Sequence, residues 1–235
     1  LKDGRRDVMH PTAEMLLARG QIARIAGTTR WHLLLALLRL SVLSTSRTVR
    51  TLRIALQSHE RWCYFLTLPA AVSCLRHRVD ILHAHYVDTS LLFARALSDW
   101  TGIPYGVTAH RYDIFDDPLT VQVASDLLHK ASVIVTISEF NRRHMVEKYD
   151  LSPATIDVVH CGIDVNRFSY NRHKLFFQNQ SMHLLNIGRL VEEKGQDILL
   201  RAVRLVRDRG VPCFLEIIGG GPLHEKLAHL STELG

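Results

Sequence analysis

The chain has 235 residues, 47% hydrophobic and 22% charged, with a formal net charge of +6. That size and balance suit one large or two small globular α/β domains and exclude a disordered or low-complexity chain. The cations form no continuous Lys/Arg-aromatic stretch, which sets aside a nucleic-acid partner.

Taken in order, the first patterned segment is Trp31 to Leu56, preceded by Arg30 and carrying Arg39, Arg47, Arg50 and Arg53. It reads either as a pair of surface helices with a buried stripe or as a basic amphipathic segment lying on an anionic membrane. The greasy run Leu33 to Leu43 is broken by Arg39 and is too short to span a bilayer. From about residue 60 strand and helix patterns alternate. The strand-like runs are 79–85, 103–110, 132–138 and 155–159. Helical spacing covers 89–100, 121–130 and 139–149, the last with Ser138 as N-cap. Such alternation predicts a parallel, doubly wound α/β sheet with ligands at its carboxyl strand ends. His83, His85, His110, Ser138, His160 and Arg189 all fall at such ends.

The pattern lapses over 166–181, which reads as a linker between residues 1–165 and 182–235. A second unit follows, with strands 183–187 and 213–218 and helices 196–209 and from Leu223 onward. Two parallel strands cannot bury a sheet on both faces, so this second unit reads as cut short. The four cysteines are scattered with no Cys-x-x-Cys pair, as in a reduced, cytoplasmic protein. The opening Leu-Lys-Asp-Gly-Arg-Arg is not a signal peptide, and the absent initiator Met reads as a cut.

The densest chemistry lies in Asn186-Ile-Gly-Arg-Leu-Val-Glu-Glu-Lys-Gly195. Arg189 and Lys194 sit at a strand-to-helix junction, where first-turn N–H groups lack intrahelical partners and the helix dipole is positive. Arg forks two phosphate oxygens and Lys adds a point charge, so the junction suits a diphosphate held without an obligatory metal. His83 and His85 are two apart and share a strand face, a spacing that permits a metal pair. His110 closes its strand with a side chain able to orient a hydroxyl or accept its proton. Asp113 either orients that histidine or caps the next helix. Gly219-Gly220-Gly221-Pro222 suits close backbone approach to a ligand, followed by a helix start, and Gly162 suits a turn.

Gly-Arg-Leu-Val-Glu-Glu-Lys-Gly, followed by Ile-Ile-Gly-Gly-Gly-Pro-Leu, resembles the donor domain of glycosyltransferase family 4 (group 1). Ile81-Leu-His-Ala-His-Tyr, Val107-Thr-Ala-His-Arg-Tyr-Asp-Ile, Val135-Thr-Ile-Ser-Glu and Val159-His-Cys-Gly-Ile-Asp-x-x-x-Phe168 match its earlier landmarks in order. The His-Cys-Gly-Ile-Asp wording is similar to the exopolysaccharide branch that includes colanic-acid-type transferases. The resemblance covers about 80–235 and is weak over 1–75. It implies a GT-B fold of two Rossmann-like domains and retaining transfer from a nucleotide-sugar donor to a glycan or lipid-linked acceptor, with no separate cofactor or metal. It assigns the donor diphosphate to Gly188, Arg189 and Lys194 and the catalytic position to His110. His83, His85, Gly162 and Gly220 would line the cleft. The family's first strand and glycine loop have no counterpart in Leu1 to Gly20, and its acidic Glu-x7-Glu motif would lie past Gly235. A fragment with doubtful activity is therefore expected. Two alternatives remain open: a metal-dependent hydrolase using His83, His85 and His110, and an inactive GT-B relic serving as a binding module.

Overall fold

The computed structural model describes residues 29–167, 177–178 and 181–235. The expectation for residues 1–20 and most of the expected linker lie outside these residues. The chain folds as two compact units, Leu1–Gly162 and Ile163–Gly235.

Among the described residues the first unit opens with three helices, α1 (Arg30–Leu43), α2 (Thr45–Gln57) and α3 (Arg61–Arg76). Then come β1 (Leu82–His85), α4 (Thr89–Thr101), β2 (Tyr105–Ala109), α5 (Arg111–Phe115), α6 (Val121–Leu128), β3 (Val133–Thr136), α7 (Glu139–Tyr149) and β4 (Ile156–Val158). The strands form one parallel sheet in the order β1-β2-β3-β4. Sequential strands therefore neighbour one another, and each crossover is helical.

Local chemistry explains the helix boundaries. The Asp88 carboxylate accepts the Ser90 N–H at 2.7 Å to open α4, and Gly102 at φ 78° closes it. Ser138 opens α7 by accepting the Asn141 N–H, and Asp150 closes it in the left-handed region at φ 53°. Helix α4 has two buried faces. Leu91 and Ala94 join the sheet core with Val107, Ile134 and Met145. Ala96 and Trp100 join a second core with Leu40, Tyr64 and Leu68 from the opening helices. Trp100 donates its indole N–H to the Tyr64 carbonyl at 2.9 Å, and the Asp99 carboxylate accepts from Arg95 and the Tyr64 hydroxyl, each at 2.9 Å. Burial, then the adjacent Asp99 charge, pushes the Tyr64 hydroxyl well above its ordinary value.

Strand edges are trimmed relative to the sequence pattern. Val79 does not begin β1; its N–H bonds the Cys74 carbonyl and finishes α3. The short helix α5 follows β2 where no helix was expected.

In the second unit, β6 (Ser181–Ile187) and β7 (Cys213–Ile218) pair in parallel. Helices α8 (Gln196–Asp208) and α9 (His224–Leu234) follow them in turn. The sheet has three strands among the described residues, not the expected two, because β5 (Phe177–Gln178) pairs antiparallel with β6 inside the stretch expected as linker. A two-residue strand is too short to leave a periodic pattern. One sheet face packs on the helices, and the other leaves Leu185, Ile187, Phe214 and Ile218 exposed. Parallel sheets are ordinarily covered on both faces.

Candidate functional site

In the first unit the chemistry collects at the carboxyl ends of β1 and β2. Parallel register sets His85 opposite Thr108, two residues before His110. The Nε2 atoms of His85 and His110 face each other at 2.9 Å. One must donate and the other accept, so a single hydrogen lies between those two nitrogens. Their ring centroids are 4.5 Å apart, and Tyr86 packs 5.0 Å from each ring. Tyr86 adopts φ 91°, and its N–H donates to the Thr108 carbonyl.

Asp113 secures this arrangement from beneath. It is 1% exposed, and its two oxygens accept the His110 N–H at 2.8 Å and the Val87 N–H at 2.7 Å. Asp113 thus caps α5 and pins the backbone after β1 to the start of α5. Burial pushes its carboxyl above the usual value, while those two backbone donors pull the other way.

The other strand-end side chains have separate partners. His83 bonds the Thr108 hydroxyl at 2.9 Å, and the His160 Nδ1 lies 2.9 Å from the Ile137 carbonyl. Ser138 is engaged as the α7 cap. His83 therefore does not converge with His85 and His110, whose facing nitrogens serve each other. Among the described residues no group of three or more His, Cys, Asp or Glu side chains is placed to hold a metal ion. The three-histidine hydrolase alternative lacks its ligand set and is set aside. Gly162 is exposed, and a Cβ there would meet nothing within 4 Å. Nothing around it requires glycine.

In the second unit Arg189 and Lys194 are both exposed on the connection from β6 to α8. The chain passes Gly188, whose N–H donates to the Ile218 carbonyl at 3.0 Å. It then makes a 3-10 turn over Glu192–Lys194 and enters α8 through Gly195 at φ 63°. That left-handed step favours glycine and explains its place directly before the helix. The charge on the connection is mixed, since Glu192, Glu193 and Asp197 accompany the two cations. Anion affinity there would rest on the fork of Arg189 and free helix N–H groups more than on net charge.

The three glycines of Gly219-Gly220-Gly221 are not equivalent. A Cβ on Gly220 would meet nothing within 4 Å, whereas one on Gly219 would lie 1.8 Å from the Gly188 carbonyl oxygen. A Cβ on Gly221 would lie 2.4 Å from the Leu190 carbonyl oxygen. Gly219 and Gly221, rather than Gly220, are the required glycines. What their backbone approaches is the Gly188–Leu190 turn itself. A Gly219→Ala variant should lose about 1–3 kcal/mol from overpacking, read as a lower urea midpoint, whereas Gly220→Ala should be near neutral.

Sequence reasoning also missed Gln196. It is 2% exposed, and its amide Nε2 donates to the Arg189 carbonyl at 3.0 Å. Its Oε1 has no hydrogen-bond partner among the described residues. A polar residue opening an amphipathic helix gave no sign that it folds back onto the preceding turn.

Comparisons with known proteins fit this geometry. Residues 15–167 match the family described as Glycosyltransferase Family 4, and residues 169–235 match Glycosyl transferases group 1. The first match extends well ahead of the motifs legible in the sequence. A D-inositol 3-phosphate glycosyltransferase of Nocardioides sp. is 29% identical, over 66% of this chain and 39% of its own length. A GDP-mannose-dependent alpha-(1-6)-phosphatidylinositol monomannoside mannosyltransferase of Mycolicibacterium smegmatis is 30% identical, over 45% of this chain and 29% of its own. The chain spans 39% of the length of the inositol-phosphate relative. Among solved structures, TarM superposes with a TM-score of 0.50 at 15% identity, over 72% of this chain and 34% of that one. The fold is of the GT-B glycosyltransferase class. With a parallel sheet bearing paired histidines in one unit and the Gly-Arg…Lys-Gly connection in the other, the chain belongs to glycosyltransferase family 4.

Proposed function

We propose that the protein moves a sugar from a nucleotide-diphosphate donor to a hydroxyl of a glycan or lipid-linked acceptor, with retention of anomeric configuration. The observation that carries this reading is the His85–His110 pair at adjacent parallel strand ends, within the segment matched to family 4. The acceptor oxygen bonds the anomeric carbon as the bond from that carbon to the diphosphate oxygen breaks. Arg189 and Lys194 neutralise charge growing on the departing nucleoside diphosphate, commonly the largest catalytic contribution. His110, held by His85 and by the Asp113 cap, orients the acceptor hydroxyl, whose proton passes to the departing diphosphate oxygen. Residues 1–165 form the acceptor side and 182–235 the donor side, joined through 166–181. The cysteines described are free, which suits a cytoplasmic setting.

The relatives' names favour a phosphorylated inositol or an inositol lipid as acceptor class. The His-Cys-Gly-Ile-Asp wording favours a growing polysaccharide instead. Calorimetric titration with UDP-, GDP- and dTDP-sugars should single out one nucleotide. Product analysis by NMR with inositol 3-phosphate, phosphatidylinositol and a lipid-linked sugar should then show one acceptor consumed and the anomeric configuration kept. Failure of every nucleotide sugar to bind would overturn the reading.

A further inference from the structure

From Met15 to His59 the sequence holds seven arginines and no lysine, aspartate or glutamate. Within that stretch, α1 carries apolar residues around almost its whole circumference, a pattern that ordinarily belongs to a buried helix. Yet only Ala36 and Leu40 of α1 are buried. Trp31, Leu34, Leu35, Leu38, Val42 and Leu43 are exposed, Val42 at 88% and Trp31 at 74%. Beside them a groove of about 490 Å³ runs between α1 and α3, its walls including Leu38, Val42, Val72 and Leu75 with Arg39 and Arg76. Among the described residues neither arginine is paired with a carboxylate, and the only acid from Arg30 to Val79 is Glu60.

We propose that this face is an attachment site for an anionic lipid bilayer. Helix α1 lies in the interface with its apolar side chains below the headgroups and Trp31 at headgroup level, where aromatic rings concentrate. Arg39 and Arg76 take lipid phosphates, and the apolar groove beside them receives the upper part of an acyl chain. Charge complementarity selects this occupant. A second copy of the chain related by a two-fold axis would bring Arg39 and Arg76 against the same cations of its partner, with no acid among the residues lining the groove to neutralise them. A bilayer bearing phosphates supplies both the counter-charge and the apolar phase. The inference does not depend on the donor reading, and its test involves no nucleotide sugar.

The experiment is co-sedimentation of the protein with phosphatidylcholine vesicles, with or without phosphatidylglycerol, at low and high salt. Two variants carry the test, Leu38→Glu/Val42→Glu and Arg39→Glu/Arg76→Glu. All four side chains are exposed, so unchanged melting curves should verify that both variants fold. The expected result is a preference for anionic vesicles of at least about tenfold, weakened by salt and reduced about tenfold or more by either variant. Equal partitioning to both vesicle types overturns the proposal, as does binding that survives both variants. A concentration-dependent dimer abolished by Leu38→Glu/Val42→Glu, with no vesicle binding, also overturns it and assigns the face to self-association.

Discussion

Replacing Arg189 and Lys194 together by alanine should lower the rate of sugar transfer by about 100- to 1,000-fold, the usual cost of removing a preorganised charge stabiliser. Both side chains are exposed and neither is packed into the core, so the melting temperature should hold while the rate falls. Arg189→Lys should recover only part of the loss, since an ammonium keeps the charge but cannot fork two phosphate oxygens. The measurement is kcat and KM with the nucleotide sugar chosen by calorimetry, alongside affinity for the free nucleoside diphosphate. If these cations act mainly on the leaving group, kcat should fall more than ground-state affinity. Unchanged turnover in the double variant would remove them from the mechanism and leave the free N–H groups of α8 as the remaining candidates for the donor grip.

The largest stability effect should come from Asp113→Ala, at about 2–6 kcal/mol. Two backbone N–H groups, those of Val87 and His110, would lose their acceptor inside the protein, and each orphaned donor costs about 1–3 kcal/mol. Urea denaturation gives the loss directly. A pH series adds a signature particular to this carboxyl. Its folded pKa is raised by burial, so the folded state keeps the proton to higher pH than the unfolded chain does. The contribution of Asp113 is therefore full below the ordinary carboxylate value and declines as pH rises through the raised one. Wild-type stability minus that of Asp113→Asn should fall with rising pH across that window. A difference that rises with pH would show that the backbone donors, not burial, dominate the site. Because Asp113 holds the His110 backbone, both variants should also impair transfer more than they impair donor binding.

What could be read in the chain follows from how local each signal is. Helix α7 is legible because Ser138 and the apolar spacing sit within one short window. β7 is legible because Cys213–Ile218 is a short, bounded run that is apolar except for Glu216. The family landmarks are legible for the same reason: each is a few residues long. By contrast, α1 and α2 are legible as a pair of helices, but the apolar residues of α1 surround it and point to no single buried face, and α3 left no expectation. The role of Asp113 depends on β1 and β2 being neighbours, since its second partner, Val87, lies 26 residues away. The triglycine shows the same limit. Composition marks all three positions alike, but only the returning Gly188–Leu190 turn distinguishes Gly219 and Gly221 from Gly220. The facing of His85 and His110 required both the parallel register and the turn of chain at Tyr86.

That turn has an energetic consequence. A tyrosine at φ 91° sits in backbone space that a bulky L-residue avoids, at a standing cost of about 1–3 kcal/mol. A glycine would remove this strain but would also take away the ring lying against both imidazoles. The carboxyl end of β1 therefore behaves as a tensioned element, kept in an unfavourable shape by the Asp113 bonds and the parallel ladder around it. Stability has been surrendered at one residue to hold two histidines at a fixed separation, so mutations that make this strand end more comfortable should make it less exact.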